Sequence, residues 1–413
     1  MMQWSYRNDV KSVWMKEGVP MKGTMVPLQE SKRIVSIDIL RGLAILGIFL
    51  VNMPSFHSPL LYIDGAGRWS GGWDRVLYRF SDIAAQASFY PLFAFLFGFG
   101  AIILAIRSEE KGISFPLLYM KRLSFLLILG CIHAFFIWHG DILINYAVFG
   151  FAFLFFYRMK GRNLILLGSV CYVLPFAILG SLFLIMGIFD REGMAITTDS
   201  AMVKQSLEVY QSGTFTEIMS QRALDWYMVN NPFNAIILFL SIFPFFLIGA
   251  GVAKQGFLQK PTQYKRQLKA ISIVSLLVGM SIKILPYVTV YHFGTIFVQD
   301  YLGGPLLTIF YITAIVLLAE QAGASRLLYP LSYIGRMSMS NYLFQSMVCT
   351  AIFYSYGLGL YGSVSYTTGF VFLIALFCLQ ILFSLLWMGL FKYGPVEYIW
   401  RFVTYGKKPV IRR

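Results

Sequence analysis

The chain reads as an all-α, polytopic integral membrane protein, and three observations predict that class. Of 413 residues, 58% are hydrophobic and only 13% are charged, against about 25% charged in an ordinary globular domain. The mean hydropathy is +0.67. Ten uninterrupted apolar runs of about 20 residues occur, the length at which a helix rising about 1.5 Å per residue crosses a hydrocarbon core about 30 Å thick.

The runs fall at 35–53, 82–106, 123–139, 142–157, 163–189, 232–253, 270–292, 302–320, 338–356 and 367–391. An even number of crossings puts both termini on one side, and the Lys/Arg distribution says which side. With the N-terminus inside, 26 of the 34 basic residues fall in six inner segments, six fall outside, and Arg41 and Lys283 lie within runs. Both termini are therefore expected in the cytoplasm. The polar stretch to Arg33 lacks an apolar core ending in a small-residue cleavage site, so the first run is expected to be a retained anchor. The net charge of +15 then describes a basic cytoplasmic face against anionic lipid heads, with the bilayer as partner and no nucleic acid.

The organisation expected is a segment 1–34, a membrane half 35–231, a second membrane half 232–391 and a basic tail 392–413. The first half ends in an acidic outer segment, 190–231, expected to hold short surface helices and to serve as a lid or as a solvated cap. Cys131, Cys171, Cys349 and Cys378 lie in apolar runs without CxxC spacing, which suggests neither a disulfide framework nor a metal site. No HExxH or comparable ligand spacing points to zinc either. Gly98 and Gly100 in LFGFG sit mid-run, where they suit close helix packing rather than nucleotide binding. In the tail, Tyr398, Trp400 and Tyr405 mix with Lys407 and Lys408, the pattern of an interfacial anchor.

Ionisable groups inside membrane runs are costly, so they are the first functional candidates. An inner layer begins with SIDILRG, where Asp38, Arg41 and Asn52 share a face to within about 60° at about 100° per residue. In GRMSMSNYLFQS, Ser338, Asn341 and Gln345 share a second face above Arg336. The two helices are expected to line one inner mouth, with Arg41 and Arg336 offering planar donors to a phosphate or carboxylate. The structural alternative is an Asp38–Arg41 pair, with Asn341 and Gln345 joining helices.

An outer layer centres on CIHAFFIWHGDILINYA. An imidazole beside a carboxylate suits general-base work, which points to His133 with Asp141. His139 reads as an interfacial surface residue, and Asn145 as part of the polar lining. Asn52, His57, Trp73, Asp74, Asp82 and Gln86 are further members of this layer. Lys283 lies deep in its run and either snorkels outward or charges a cavity.

RIVSIDILRGLAILGIFLVN, GDILINYA, PFFLIGAGVAKQGF, GRMSMSNYLFQS and the closing GPVEYIW with TYGKKP resemble the YeiB-like family of bacterial membrane proteins, whose C-terminal half is a domain of unknown function. The resemblance runs from about residue 33 to residue 409. More distantly the chain resembles transmembrane acyltransferases of the heparan-alpha-glucosaminide N-acetyltransferase type, through Asp38, Arg41, Gly42 and Asn52. That likeness implies an acyl-CoA donor at the cytoplasmic face, an acceptor on the far side and a catalytic histidine there. The loop GRWSGGWDRVLYRFSD offers Trp69 and Trp73 but no histidine at the expected place, so either His133 or His57 substitutes or the acyl-transfer chemistry is absent.

The leading expectation is a plasma-membrane acyltransferase. Arg41, Arg336, Asn341 and Gln345 would hold the donor, His133 and Asp141 would activate a small-molecule or lipid-linked acceptor, and no tightly bound cofactor is needed. The alternative is a transporter or flippase using the same polar stripes with His133 and Lys283 as proton-linked groups. A non-catalytic scaffold and a homodimer also stay open.

Overall fold

Within a bilayer the backbone finds no water, so apolar stretches close their hydrogen bonds inside helices. A computed structural model of the protein describes residues 34–413. Among these residues every regular element is helical, with one isolated bridge between Phe391 and Arg412. The expectations for the segment before Ile34, its cytoplasmic placement and lack of a cleaved leader, lie outside the described residues.

In chain order the helices are α1 (Val35–His57), α2 (Gly72–Ala84), α3 (Phe89–Glu110), α4 (Phe115–Ile132), α5 (Leu143–Phe153), α6 (Gly161–Phe189), α7 (Ser200–Ser212), α8 (Phe215–Asn230), α9 (Pro232–Gln255), α10 (Lys265–Lys283), α11 (Phe293–Val298), α12 (Gly304–Ala319), α13 (Ala322–Arg336), α14 (Ser338–Phe353), α15 (Tyr366–Leu390) and α16 (Pro395–Tyr405). Among the described residues, seven helical stretches are long and apolar enough to cross a membrane: α1, α2–α3, α4 with its following turn, α6, α9, α11–α12 and α15. This is an all-α polytopic membrane protein. The other three expected runs hold α5, an apolar helix of 11 residues, α10, which opens on Lys265 and Arg266, and α14, of 16 residues. Large apolar side chains face outward along α6 (Leu166, Val173, Ile178) and α15 (Val371, Leu379, Leu386), as lipid requires.

α9 lies at the centre, packed against α3 and α6. The α3–α9 crossing depends on two glycines. A Cβ at Gly98 would fall 2.0 Å from the Phe246 carbonyl oxygen, and one at Gly249 would fall 2.0 Å from that of Phe95. Gly98 is thus a packing glycine. α1 packs chiefly on α13, and α10 on α12.

Residues 321–337, expected as an inner loop, hold the helix α13. Its Leu328, Leu331 and Ile334 recur at a three-residue step and join the core, and Gly335 comes against the Asp38 carbonyl. One end of the bundle gathers the start of α1, the ends of α3 and α9 and the tail helix α16; we call it the basic face. The opposite end is roofed by α2, α7 and α8. Thr214 and Glu217 form a capping box at the start of α8, which satisfies otherwise orphaned amides.

Candidate functional site

α4 ends in a π-helical turn, His133–Ile137, closed by the bond from the Trp138 N–H to the His133 carbonyl at 2.8 Å. Such turns widen the helix and often mark functional positions. Here the turn precedes the sharp return through Gly140 into α5 and brings Asp141 beside the ring. His133 Nδ1 lies 2.9 Å from Asp141 Oδ1, and His133 Nε2 lies 2.9 Å from Ser346 Oγ on α14. An ionised Asp141 accepts only, so it selects the tautomer with the proton on Nδ1 and leaves Nε2 to accept from the Ser346 hydroxyl. The other oxygen of Asp141 accepts the Ile144 N–H at 2.9 Å, and the Tyr342 hydroxyl donates to the Gly140 carbonyl at 3.1 Å, so α14 is tied to the same turn. His133 is fully buried.

The arrangement is a hydroxyl, an imidazole and a carboxylate in file, the order in which a side-chain base raises the nucleophilicity of a serine. The expected pairing of His133 with Asp141 is present in the geometry. Ser346 escaped sequence reasoning: the stripe through Ser338, Asn341 and Gln345 passes one residue short of it, and its partner lies 213 residues away.

Towards the basic face α14 continues as a polar file. Asn341 Nδ2 donates to Ser384 Oγ at 3.1 Å, Gln345 Nε2 to Gln380 Oε1 at 2.9 Å, and Gln380 Nε2 to the Asn341 carbonyl at 3.0 Å. Asn341 and Gln345 are both buried in this α14–α15 network, the helix-joining role set beside ligand binding above. Asp38 and Arg41 form an ion pair at 2.8 Å, with the Arg41 side chain 32% exposed. Arg336 ends α13 next to Gly335, whose contact with the Asp38 carbonyl brings that helix end to the first turn of α1. Asn52 lies half-buried farther up α1. Glu397, also missed from sequence, accepts the Met339 and Ser340 amides at 2.8 and 3.1 Å and so caps α14 from the tail helix. Burial pushes its carboxyl above the usual range, against these bonds.

At the roofed end the residues separate into two groups. Asp82, Gln86 and Lys283 come together away from His133. Lys283 is fully buried, lies 3.3 Å from Asp300 and donates to the Gln86 carbonyl at 3.0 Å. It does not snorkel. Asp82 accepts from the Tyr287 hydroxyl at 2.7 Å and from the Gln299 amide.

The second group surrounds His139, which is 4% exposed rather than an interfacial surface residue. The reason is tertiary: α8 folds over the turn and sets Asp225 Oδ2 at 3.5 Å from His139 Nδ1. Asp225 accepts from Tyr62 at 2.7 Å, Tyr210 at 2.6 Å and Gln221 at 2.8 Å. Burial holds the His139 imidazole below its usual range, Asp225 opposes that, and Arg222 and His133 reinforce it. Burial and then Asp225 push the Tyr62 phenol up, so it stays a donor.

Tyr62 also lines a cavity of about 780 Å³ whose wall is mostly apolar or aromatic, with Met202, Ile237 and Tyr301 among its residues, and carries the polar side chains of Thr197, Asp199 and Asn234. Asn145 bonds Asn230 of α8 at 2.9 Å near the cavity's Val229. His57 is buried between Trp69 and Phe353, Trp73 is exposed, and Asp74 accepts from the Thr367 amide at 2.9 Å, which fastens α2 to α15.

A membrane-embedded helical bundle with a buried polar file and a cavity at its roofed end is the class of protein these features define. Comparison narrows it. Residues 252–407 match the family described as a protein of unknown function, DUF418. The chain is 37% identical over 400 residues to the uncharacterized protein YxaH of Bacillus subtilis, covering 92% of this chain and 96% of the relative. It is 28% identical over 396 residues to the uncharacterized protein YeiB of Escherichia coli, covering 90% and 96%. An uncharacterized 39.9 kDa protein of Bacillus acidopullulyticus is 27% identical over 400 residues, covering 93% and 97%. The chain belongs to this YeiB-like family.

Proposed function

We propose that the protein resides in the bacterial plasma membrane, crosses it ten times with both ends in the cytoplasm, and passes an acyl group from acyl-CoA to an acceptor at the outer face. The observation that carries this reading is the file Asp141–His133–Ser346, with 2.9 Å at each link. Ser346 Oγ attacks the thioester carbonyl as its proton moves to His133 Nε2, while Asp141 holds the ring and offsets its charge. The carbon–sulfur bond breaks, and the proton leaves with the CoA thiol. The acceptor hydroxyl or amine then attacks the serine ester, His133 takes its proton, and Ser346 leaves with that proton. Burial keeps water from the ester.

The polar file along α14 supports a route from a donor near Arg41 and Arg336. The cavity beyond Tyr62 supports an acceptor site of small-molecule or lipid-linked kind. The test supplies labelled acyl-CoA to proteoliposomes containing candidate acceptors. Transfer should vanish in His133→Ala and Ser346→Ala; transfer at the parent's rate in both would sink the reading. A second reading, solute transport without covalent chemistry, is favoured by the buried Lys283–Asp300 pair, which no step above uses. Gradient-driven uptake lost in Lys283→Met would support it.

A further inference from the structure

We propose that the cavity beside Tyr62 binds an organic ammonium ion carried on an apolar body. Its wall is drawn from the connection after α1, the segment leading into α7, the end of α8, the start of α9 and the π turn Gln299–Gly303. The bond from the Asp199 N–H to the Tyr62 carbonyl at 2.9 Å ties the first two of these together. Among the described residues the wall carries one charged side chain, Asp199, and no Lys, Arg or His. One Asp199 oxygen accepts the Met202 N–H at 3.1 Å and caps α7, which leaves the rest of the carboxylate for a ligand. Lys204, farther along α7, is turned to Glu208 at 3.8 Å. The Tyr62 hydroxyl is spent on Asp225 at 2.7 Å, so Tyr62 gives the wall its ring, and the face of such a ring attracts cations.

Met202, Met228, Ile237 and Leu238 supply much of the remaining wall. Phe233 and Ile236, on the same stretch of α9, are exposed, so this apolar surface runs on from the cavity to the side that lipid takes. The wall discriminates among ligand classes. An anion would meet a carboxylate and no compensating cation. A hard metal ion seeks about six oxygens, and among the described residues no three His, Cys, Asp or Glu side chains gather to hold a metal. A sugar would turn hydroxyls towards methionine, isoleucine and leucine, where they find no partner. A monocation on an apolar body leaves nothing unmatched: its charge meets Asp199 and the Tyr62 ring, and its body meets the adaptable methionines and α9. The volume of about 780 Å³ is that of a small-molecule site. The inference deepens the acyl-transfer reading by giving its acceptor a chemical class, and rests on that reading only for what happens to the amine once bound.

The test titrates the purified full-length protein in maltoside micelles by calorimetry, with empty micelles subtracted. Three probes share one apolar body: benzylamine, a cation at neutral pH, benzyl alcohol and benzoate. Benzylamine should bind most tightly. Asp199→Asn, which removes the charge but can still cap α7, should weaken benzylamine roughly fivefold and leave benzyl alcohol unchanged. Thr197→Asp adds a second carboxylate to the wall and should tighten benzylamine by a similar factor. Glu192→Gln, on the same outer segment but not in the wall, should bind as the parent does. The site is overturned if benzyl alcohol or benzoate binds as tightly as benzylamine, if neither Asp199→Asn nor Thr197→Asp shifts benzylamine affinity, or if Glu192→Gln loses as much as Asp199→Asn. Native mass spectrometry from nanodiscs separates two sources of the ammonium group: selective retention of phosphatidylethanolamine over phosphatidylglycerol, lost in Asp199→Asn, assigns a lipid headgroup, and equal retention assigns a free amine; either supports the site. Benzylamine binding in a protein that transfers no acyl group to any acceptor would leave the site standing and remove only the acyl-transfer reading.

Discussion

Ser346 Oγ and His133 Nε2 meet at 2.9 Å in a fully buried setting, although 213 residues separate them. The contact binds the π-helical end of α4 to the middle of α14. It joins two helices and carries the proposed chemistry, and the two roles separate by substitution. Ser346→Ala leaves Nε2 without its hydroxyl partner and should cost about 1–3 kcal/mol in thermal or denaturant unfolding. If His133 is the base, Asp141→Asn should lower labelled acyl transfer by roughly 10²–10⁴-fold, since a misplaced tautomer removes most of the benefit of general-base catalysis.

The buried pair Lys283–Asp300 should behave unlike a surface ion pair. Lys283→Met alone leaves Asp300 without its cation, which should cost about 3–5 kcal/mol. The double variant Lys283→Met with Asp300→Asn should recover a large part of that loss. A thermodynamic cycle on the four proteins measures the coupling, and additive losses would mean that the two groups do not act as a pair.

Gly98→Ala places a Cβ 2.0 Å from the Phe246 carbonyl oxygen, and a backbone atom cannot step aside without parting α3 from α9. A loss of about 1–3 kcal/mol is expected in detergent melts. Gly389→Ala is the contrast, because nothing lies within 4 Å of its Cβ position. That change should be neutral or stabilise α15 by up to about 1 kcal/mol.

Acid should weaken the roof through His139. Its folded pKa is depressed by burial, so the folded protein takes up fewer protons at this ring than the unfolded chain does. Stability from this residue is fully present above the unfolded value of about 6.5 and falls as pH drops below it. Asp225 faces the ring as the favourable charge, and Arg222 and His133 as opposing ones. Melting midpoints recorded from pH 7.5 to pH 5 should fall less steeply in His139→Gln than in the parent; parallel curves would refute the assignment.

The class of this protein was legible in composition and run length, because a bilayer demands about 20 apolar residues per crossing whatever their order. The His133–Asp141 pair was legible too, since eight residues and one turn link them. Lys283 was visible as an anomaly, but its partner was not: Asp300 falls in the connection between the runs 270–292 and 302–320, and only packing of α10 on the π turn at Gln299–Gly303 brings it near.

Sequence by itself thus determined the helical, membrane-spanning character and the costly polar groups, because transfer energies are properties of residues and their neighbours along the chain. Tertiary structure decided which of those groups meet. Ser346 reaches His133, Asp225 gathers Tyr62, Tyr210 and His139, and α13 becomes a helix against Gly42 and Asp38. A hydrogen bond requires atoms within about 3 Å and the right direction. Between residues on different helices, that geometry is set by crossing angle and glycine contact rather than by spacing along the chain.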